Sequence, residues 1–174
     1  MPETSAEAQL DSFLAKFAPE VEAQARAALH RMRARLPGAW ELVYDNYNAL
    51  VIAFGANDKA SGIVFSIAVY PRWASLFFAR GTELPDPLGL LRGTGSKVRH
   101  IVLTEIGLLD TAGVEALIAE SLARATPPID PAGAGRVVIK SVSAKQRPRR
   151  GGASTAARTR PVTRDRAKQT TTGD

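Results

Sequence analysis

Two apolar runs, residues 63–70 and 73–79, are separated only by Pro71 and Arg72. Two residues cannot carry a chain back to begin a parallel strand, so these runs must pair antiparallel in a tight hairpin. The same constraint applies upstream. Residues 40–45 alternate, with Trp40, Leu42 and Tyr44 on one face, and Asn46-Tyr-Asn48 is turn-prone. Residues 49–54 return as a second strand, and 55–62 form a polar loop. Residues 98–103 supply a fifth strand. Residues 136–142 have strand character and, after an Asp-Pro and Gly-rich loop, read as an addition at the sheet edge.

Helices flank this strand block. Thr4-Ser-Ala-Glu7 has the spacing of a capping box, followed by Leu10, Phe13, Leu14 and Phe17 at helical intervals. Pro19 suits the first position of a second helix, with Glu20 and Glu22 favourably placed in its first turn. Its buried stripe is Val21, Ala25, Ala28, Leu29, Met32 and Leu36, and Pro37-Gly38 stops it. Arg31, Arg33 and Arg35 fall in the last turns, where cations complement the dipole, and His30 falls off the stripe. Asp86, with Pro87 behind it, predicts a short helix ending at Arg92-Gly93. Asp110 or Thr111 caps a last helix whose apolar stripe runs from Val114 to Ala125, and Thr126-Pro-Pro128 ends it. The expectation is a two-layer α+β domain over about residues 4–142: a mostly antiparallel sheet of about five strands with the helices packed on one face.

Charge divides the chain. Residues 1–140 carry 14 Lys and Arg against 15 Asp and Glu, whereas residues 141–174 carry 9 against 2. The formal +6 therefore belongs to the C-terminal end. Residues 151–174, Gly-, Ala-, Ser-, Thr-, Arg- and Pro-rich without apolar periodicity, are expected to be a basic disordered tail. Such a tail favours salt-sensitive tethering to polyanions over specific nucleic-acid recognition. With no cysteine, disulfides, thiolate metal sites and Cys nucleophiles are excluded. No signal-peptide pattern opens the sequence and no apolar run is long enough to span a bilayer, so a cytoplasmic protein is expected.

Catalytic signals are thin. Gly93-Thr-Gly-Ser-Lys97 resembles a phosphate loop only superficially, because Ser96 separates Gly95 from Lys97 and a strand follows where a helix is required. Ser66 or Ser75 with His100 and Asp45 would make a triad only by asserted geometry, without a nucleophile elbow. A non-enzymatic module is expected. Its candidate ligand-binding set is Tyr44, Asn46, Arg72, Arg99 and His100, polar groups beside aromatic ones at strand ends, which would take a small anion or a protein partner if they converge at one sheet edge. The plainer reading pairs Arg72 and Arg99 with Asp45 and Asp86 and puts the tyrosines in the core. Among the acidic residues, Glu7 and Asp11 share a helix face at i,i+4 and can hold a hard cation weakly, or simply form a solvated face.

Phe13-Leu-Ala-Lys-Phe-Ala-Pro19, Tyr44-Asp-Asn-Tyr-Asn-Ala-Leu50, Tyr70-Pro-Arg-Trp73, Leu84-Pro-Asp-Pro87, Leu91-Arg-Gly-Thr-Gly95 and Val98-Arg-His-Ile101 follow in this order. Together they resemble the YdhG-like domain family, a bacterial domain of unknown function. The ending Ile139-Lys-Ser-Val-Ser-Ala-Lys-Gln-Arg-Pro-Arg-Arg150 resembles that of one subgroup. The resemblance implies a compact α+β domain over residues 4–150, in which Lys145 to Arg150 dock on the domain or on a partner. It supplies no catalytic residues. One branch is described as a frataxin-like iron chaperone; by that analogy iron would be held by Glu7, Asp11, Glu20 and Glu22.

Overall fold

The computed structural model describes residues 4–150, and the tail expected over 151–174 lies outside them. Helices α1 (Ala6–Leu14) and α2 (Pro19–Arg35) lead into strands β1 (Trp40–Asp45), β2 (Leu50–Gly55), β3 (Ile63–Val69), β4 (Ala74–Phe78) and β5 (Arg99–Val102). Helix α3 (Ala112–Ala123) and strand β6 (Val137–Val142) complete the fold. The α+β class is as the sequence implies, but the sheet has six strands in the order β5-β4-β3-β2-β1-β6. The first five pair antiparallel and β6 pairs parallel with β1. The additional strand is parallel because a long return from α3 brings the chain back to the β1 edge, which no hairpin reaches. That return is held tightly. Gly38, at φ 80°, lies where a Cβ would meet the Asp130 carbonyl at 2.0 Å, and a Cβ on Gly135 would meet the Ala39 carbonyl at 1.9 Å.

The hydrophobic core lies between the three helices and one sheet face. Leu50, Ile52 and Phe54 of β2, Phe65, Ile67 and Val69 of β3, and Ala74, Leu76 and Phe78 of β4 meet the helical stripes there. Phe65 and Phe78 pack edge to face at 5.7 Å. Burying side chains of this size stabilises the fold by about 1.5–3 kcal/mol each.

Several local expectations are corrected. Ser5, not Thr4, caps α1: its hydroxyl accepts from the Ala8 amide at 3.1 Å, and Glu7 is drawn to Arg33. No helix follows Asp86. Its carboxylate instead accepts from the Leu90 and Leu91 amides at 2.8 and 3.0 Å, four and five residues on, so it closes a loop where an N-cap would take the amides two or three residues on. Asp110 does not cap α3, because Arg31 and Arg35 hold its carboxylate, and Thr111 at the cap position donates to the Leu108 carbonyl.

The segment after β6 docks on the domain. The Ser143 and Arg147 amides donate to the Asp45 and Tyr47 carbonyls. Arg149, only 5% exposed, donates from Nη2 to Asp45 Oδ1 at 2.8 Å and lies over the Phe17 ring at 5.5 Å. Asp45, 1% exposed, also takes Lys16 at 3.1 Å. Removing Arg149 leaves a buried carboxylate with one half-exposed partner, so Arg149→Ala is expected to destabilise the domain by about 3–5 kcal/mol. Urea unfolding of the single variant and of Asp45→Asn/Arg149→Met checks this; the double variant should recover most of the loss.

Candidate functional site on the open sheet face

The residues expected to form an anion pocket do not gather. Tyr44 lies on β1 and His100 on β5, four strand spacings apart, or about 19 Å at the usual interstrand distance. Arg72 sits in the β3–β4 turn, whereas Arg99 pairs with Phe78 at the far end of β4. The strand order imposes this separation. Asn46 is exposed in the β1–β2 turn, and its carbonyl accepts from Arg149. Arg99 turns back onto the Gly95 and Val98 carbonyls, and Arg72 is exposed. The plainer pairing fails too. Asp45 is taken by Lys16 and Arg149, Asp86 by backbone amides, and none of the three tyrosines enters the core. Tyr47 is 52% exposed, while Tyr70 stacks on Trp73 at 4.8 Å. A Ser–His–Asp triad is likewise divided. Asp45 faces the helices, whereas register puts Ser66, Ser75 and His100 on the opposite face.

The acidic set at the N-terminus is engaged by arginine. Arg33 forks onto Glu41 through Nε and Nη2, both at 2.7 Å, and reaches Glu7 at 2.8 and 3.1 Å. This ties α1, α2 and β1 together and holds the Arg33 guanidinium well above its ordinary pKa, chiefly through the Glu41 hydrogen bonds. Arg26 takes both Asp11 and Glu22, and Glu20 is exposed at the start of α2. Among the described residues no group of three or more His, Asp or Glu side chains stands close enough to hold a metal ion. Nor is any described helix long and apolar enough to cross a membrane.

What the fold does present is the sheet face away from the helices. Its register places Leu42, Ala53, Ser66, Phe77 and His100 in one row across the strands, and Tyr44, Val51, Ala68, Ser75 and Val102 in the next. Leu42 and Ala53 are buried at 0% and 1% exposure, so this face is open chiefly where Val51, Ser66 and Phe77 are half-buried, and the small Ala68 between them leaves a trough. The trough opens into a cleft of about 370 Å³ lined by Val51, Ile63, Ser66, Ala68, Tyr70 and Phe77, among others. That volume is in the range of ligand sites, and a mostly apolar lining with a few hydroxyls is typical of them. At its margin His100 stacks on Phe77 at 5.0 Å.

Charge is distributed unevenly about this face. Almost every ion pair lies on the helical side or on the surface of α3. Lys59 and Lys97 precede the lining residues Ala60 and Val98 in sequence, and the exposed Asp58 stands beside Lys59. Arg136 lies over the Trp40 ring at 5.8 Å, and Lys140, the extra residue of a β6 bulge, donates to the Asp58 carbonyl at 3.0 Å. These four cations make no ion pair among the described residues.

Sequence reasoning missed this site although a signal was present. Leu50-Val-Ile-Ala-Phe54 and Ile63-Val-Phe-Ser-Ile-Ala-Val69 lack polar alternation. Strands exposed to water on one face normally show that alternation, and near-continuous apolar runs mark strands covered on both. No family model, curated protein or solved structure matches the chain, so the YdhG-like resemblance rests on its quoted motifs alone.

Hydrogen bonds from Arg35 and then Arg31 hold the exposed Asp110 carboxyl below its ordinary pKa of 3.8. A depressed folded-state value means that this stabilisation is present above about pH 3.8 and disappears as pH falls through the lower folded value. Asp110→Asn should therefore unfold more easily than the parent at neutral pH, with the difference shrinking below pH 3.8. Thermal unfolding of both proteins across that range measures it.

Proposed function

We propose that this chain is a non-enzymatic binding module, and that its ligand sits on the open sheet face and combines apolar surface with negative charge. The carrying observation is the apolar cleft lined by Val51, Ala68 and Phe77, beside which Lys59, Arg136 and Lys140 outnumber the one neighbouring carboxylate, Asp58. Burial of a ligand's apolar surface on Val51, Ala68 and Phe77 supplies affinity, while the bordering cations select for anions and speed encounter. Membership of the YdhG-like family is part of this reading and is supported by the ordered motifs between Phe13 and Arg150.

The amphipathic anion anilinonaphthalene sulfonate tests the site directly. The full chain should bind it with enhanced fluorescence, and Ala68→Trp, which fills the trough floor, should weaken binding tenfold or more. Undiminished binding by a folded Ala68→Trp variant would show that the dye sits elsewhere and sink the assignment. Val51→Glu, which places a carboxylate on the same floor, should give the same loss and guards against a defect peculiar to one substitution.

A further inference from the structure

We infer that the end of the sheet carrying the β1–β2 and β3–β4 turns is a second interaction surface, and that it binds single-stranded nucleic acid without sequence preference. Register defines this end. Val142, Asp45, Leu50, Val69 and Ala74 form one row across β6, β1, β2, β3 and β4. Beyond that row the chain turns at 46–49 and 70–73 and leaves β6 into 143–150, so three connections meet at one end.

Aromatic rings stand out there. Tyr47 is 52% exposed in the first turn and Trp73 41% exposed in the second, where Tyr70 stacks on one side of it. The turns are two strand spacings apart, about 10 Å, a span of about three stacked nucleotides. Asn46 and Asn48, exposed on either side of Tyr47, offer donors and acceptors to base edges.

Cations surround the rings, and contacts within the chain place them. The Arg147 amide donates to the Tyr47 carbonyl at 2.8 Å, Arg150 donates to the Ala15 carbonyl, and Lys16 reaches the Gln146 side chain at 3.2 Å. The Ser143 amide and the Gln146 side chain both donate to the Asp45 carbonyl, which fixes Lys145 between them, and Arg72 occupies the second turn. Arg72, Lys145, Arg147 and Arg150 are exposed and make no ion pair among the described residues. Carboxylates at this end are fewer. Asp45 is buried between Lys16 and Arg149, and Glu22 shares Arg26 with Asp11. Glu20, at the start of α2, and Glu105, after β5, are the exposed carboxylates left without an ion pair there.

The mixture selects the partner. Three of the four unpaired cations are arginines, whose planar guanidinium suits both phosphate oxygens and the faces of bases. Exposed rings among such cations are what single strands use, because every base has a face to stack. A duplex keeps its bases stacked inside and an acidic peptide has none, so either would leave Tyr47 and Trp73 without a role. The described chain also ends here, and residues 151–174 continue it with 5 Lys and Arg against 2 Asp and Glu.

The test is anisotropy titration of a labelled oligouridylate with the full chain at salt between about 50 and 200 mM. Affinity should fall as salt rises, and Arg72→Ala/Arg147→Ala should flatten the slope of log K against log salt by about 1.4, two phosphate contacts at about 0.7 each. Tyr47→Ala, a change at an exposed ring whose carbonyl is untouched, should weaken binding about fivefold or more, and Tyr47→Ala/Trp73→Ala further. Tyr47→Phe keeps the ring and should bind as the parent does. No binding at the lowest salt, unchanged affinity in Tyr47→Ala, or equal affinity for a duplex of the same length or for polyglutamate would overturn the assignment. Replacing Arg158, Arg160, Arg164, Arg166 and Lys168 with Gln in the full chain separates the tail from the surface. Residual binding that still depends on Tyr47 supports the surface; complete loss of binding would leave the tail as a tether and sink it.

Discussion

Pairing of β2 with β3 is the constraint on which the rest of the structure depends. From Leu50↔Val69 to Phe54↔Phe65 the two strands place apolar side chains on both faces at nearly every position. A slip of one residue would bring Phe54 and Phe65 out of the core and put Ala53 and Ser66 in their place, so the core face fixes the register. The helices then have one surface on which to fold. α2 lays Ala25, Ala28 and Met32, all fully buried, against it, and the small alanines let the helix sit close to the sheet. Because no described helix covers the other face, the central strands expose apolar surface at Val51 and Phe77 that their own domain does not use.

Ionic interactions follow from that asymmetry. On the helical side carboxylates and guanidinium groups meet in geometries that fix neighbouring elements, most clearly where Arg33 joins Glu7 of α1 to Glu41 of β1. Glu41 and Asp45 point from β1 towards the helices, and each needs a cation because burial without one would be costly. Arg33 and Arg149 meet that need from opposite ends of the sequence. Most carboxylates are paired in this layer, whereas on the other side Lys59, Arg136 and Lys140 make no ion pair among the described residues and have Asp58 as their neighbouring carboxylate.

How much was legible in the sequence depended on how local the determining contacts were. The β1–β2 and β3–β4 hairpins follow from their linkers, and α2 from its apolar spacing and from Pro19 and Gly38 at its ends. The parallel placement of β6 was not legible, because it depends on the approach of Gly135 to Ala39, a contact between residues almost a hundred positions apart. The Asp86 turn shows the opposite problem. A capping signal was present and is used, yet the amides it satisfies belong to a loop. Tyr44, Arg72 and Arg99 looked alike as polar groups at strand ends, but strand order and direction decide which ends coincide. Local pattern does not contain that information. The open face was legible in principle from the missing alternation in β2 and β3, and was obscured because the same runs also suit an ordinary core strand.

The C-terminal part of the domain links these features. By pairing with β1, β6 covers what would otherwise be a sheet edge and brings Arg136 and the bulged Lys140 to one margin of the trough. The chain then crosses the end of the sheet, and Arg149 enters the helical side at Asp45, Asn46 and Phe17. Arg150 donates to the Ala15 carbonyl beside it. Residues 137–150 thus lock the fold on one side of the sheet while supplying positive charge on the other. Residues 145–150, which the resemblance implies dock on the domain or on a partner, carry a basic composition, and burial of Arg149 against Asp45 gives them a structural task. A domain cut at the end of β6 would retain the trough but lose the charge that balances Asp45, so the strap and the open face are best understood as parts of one folded unit.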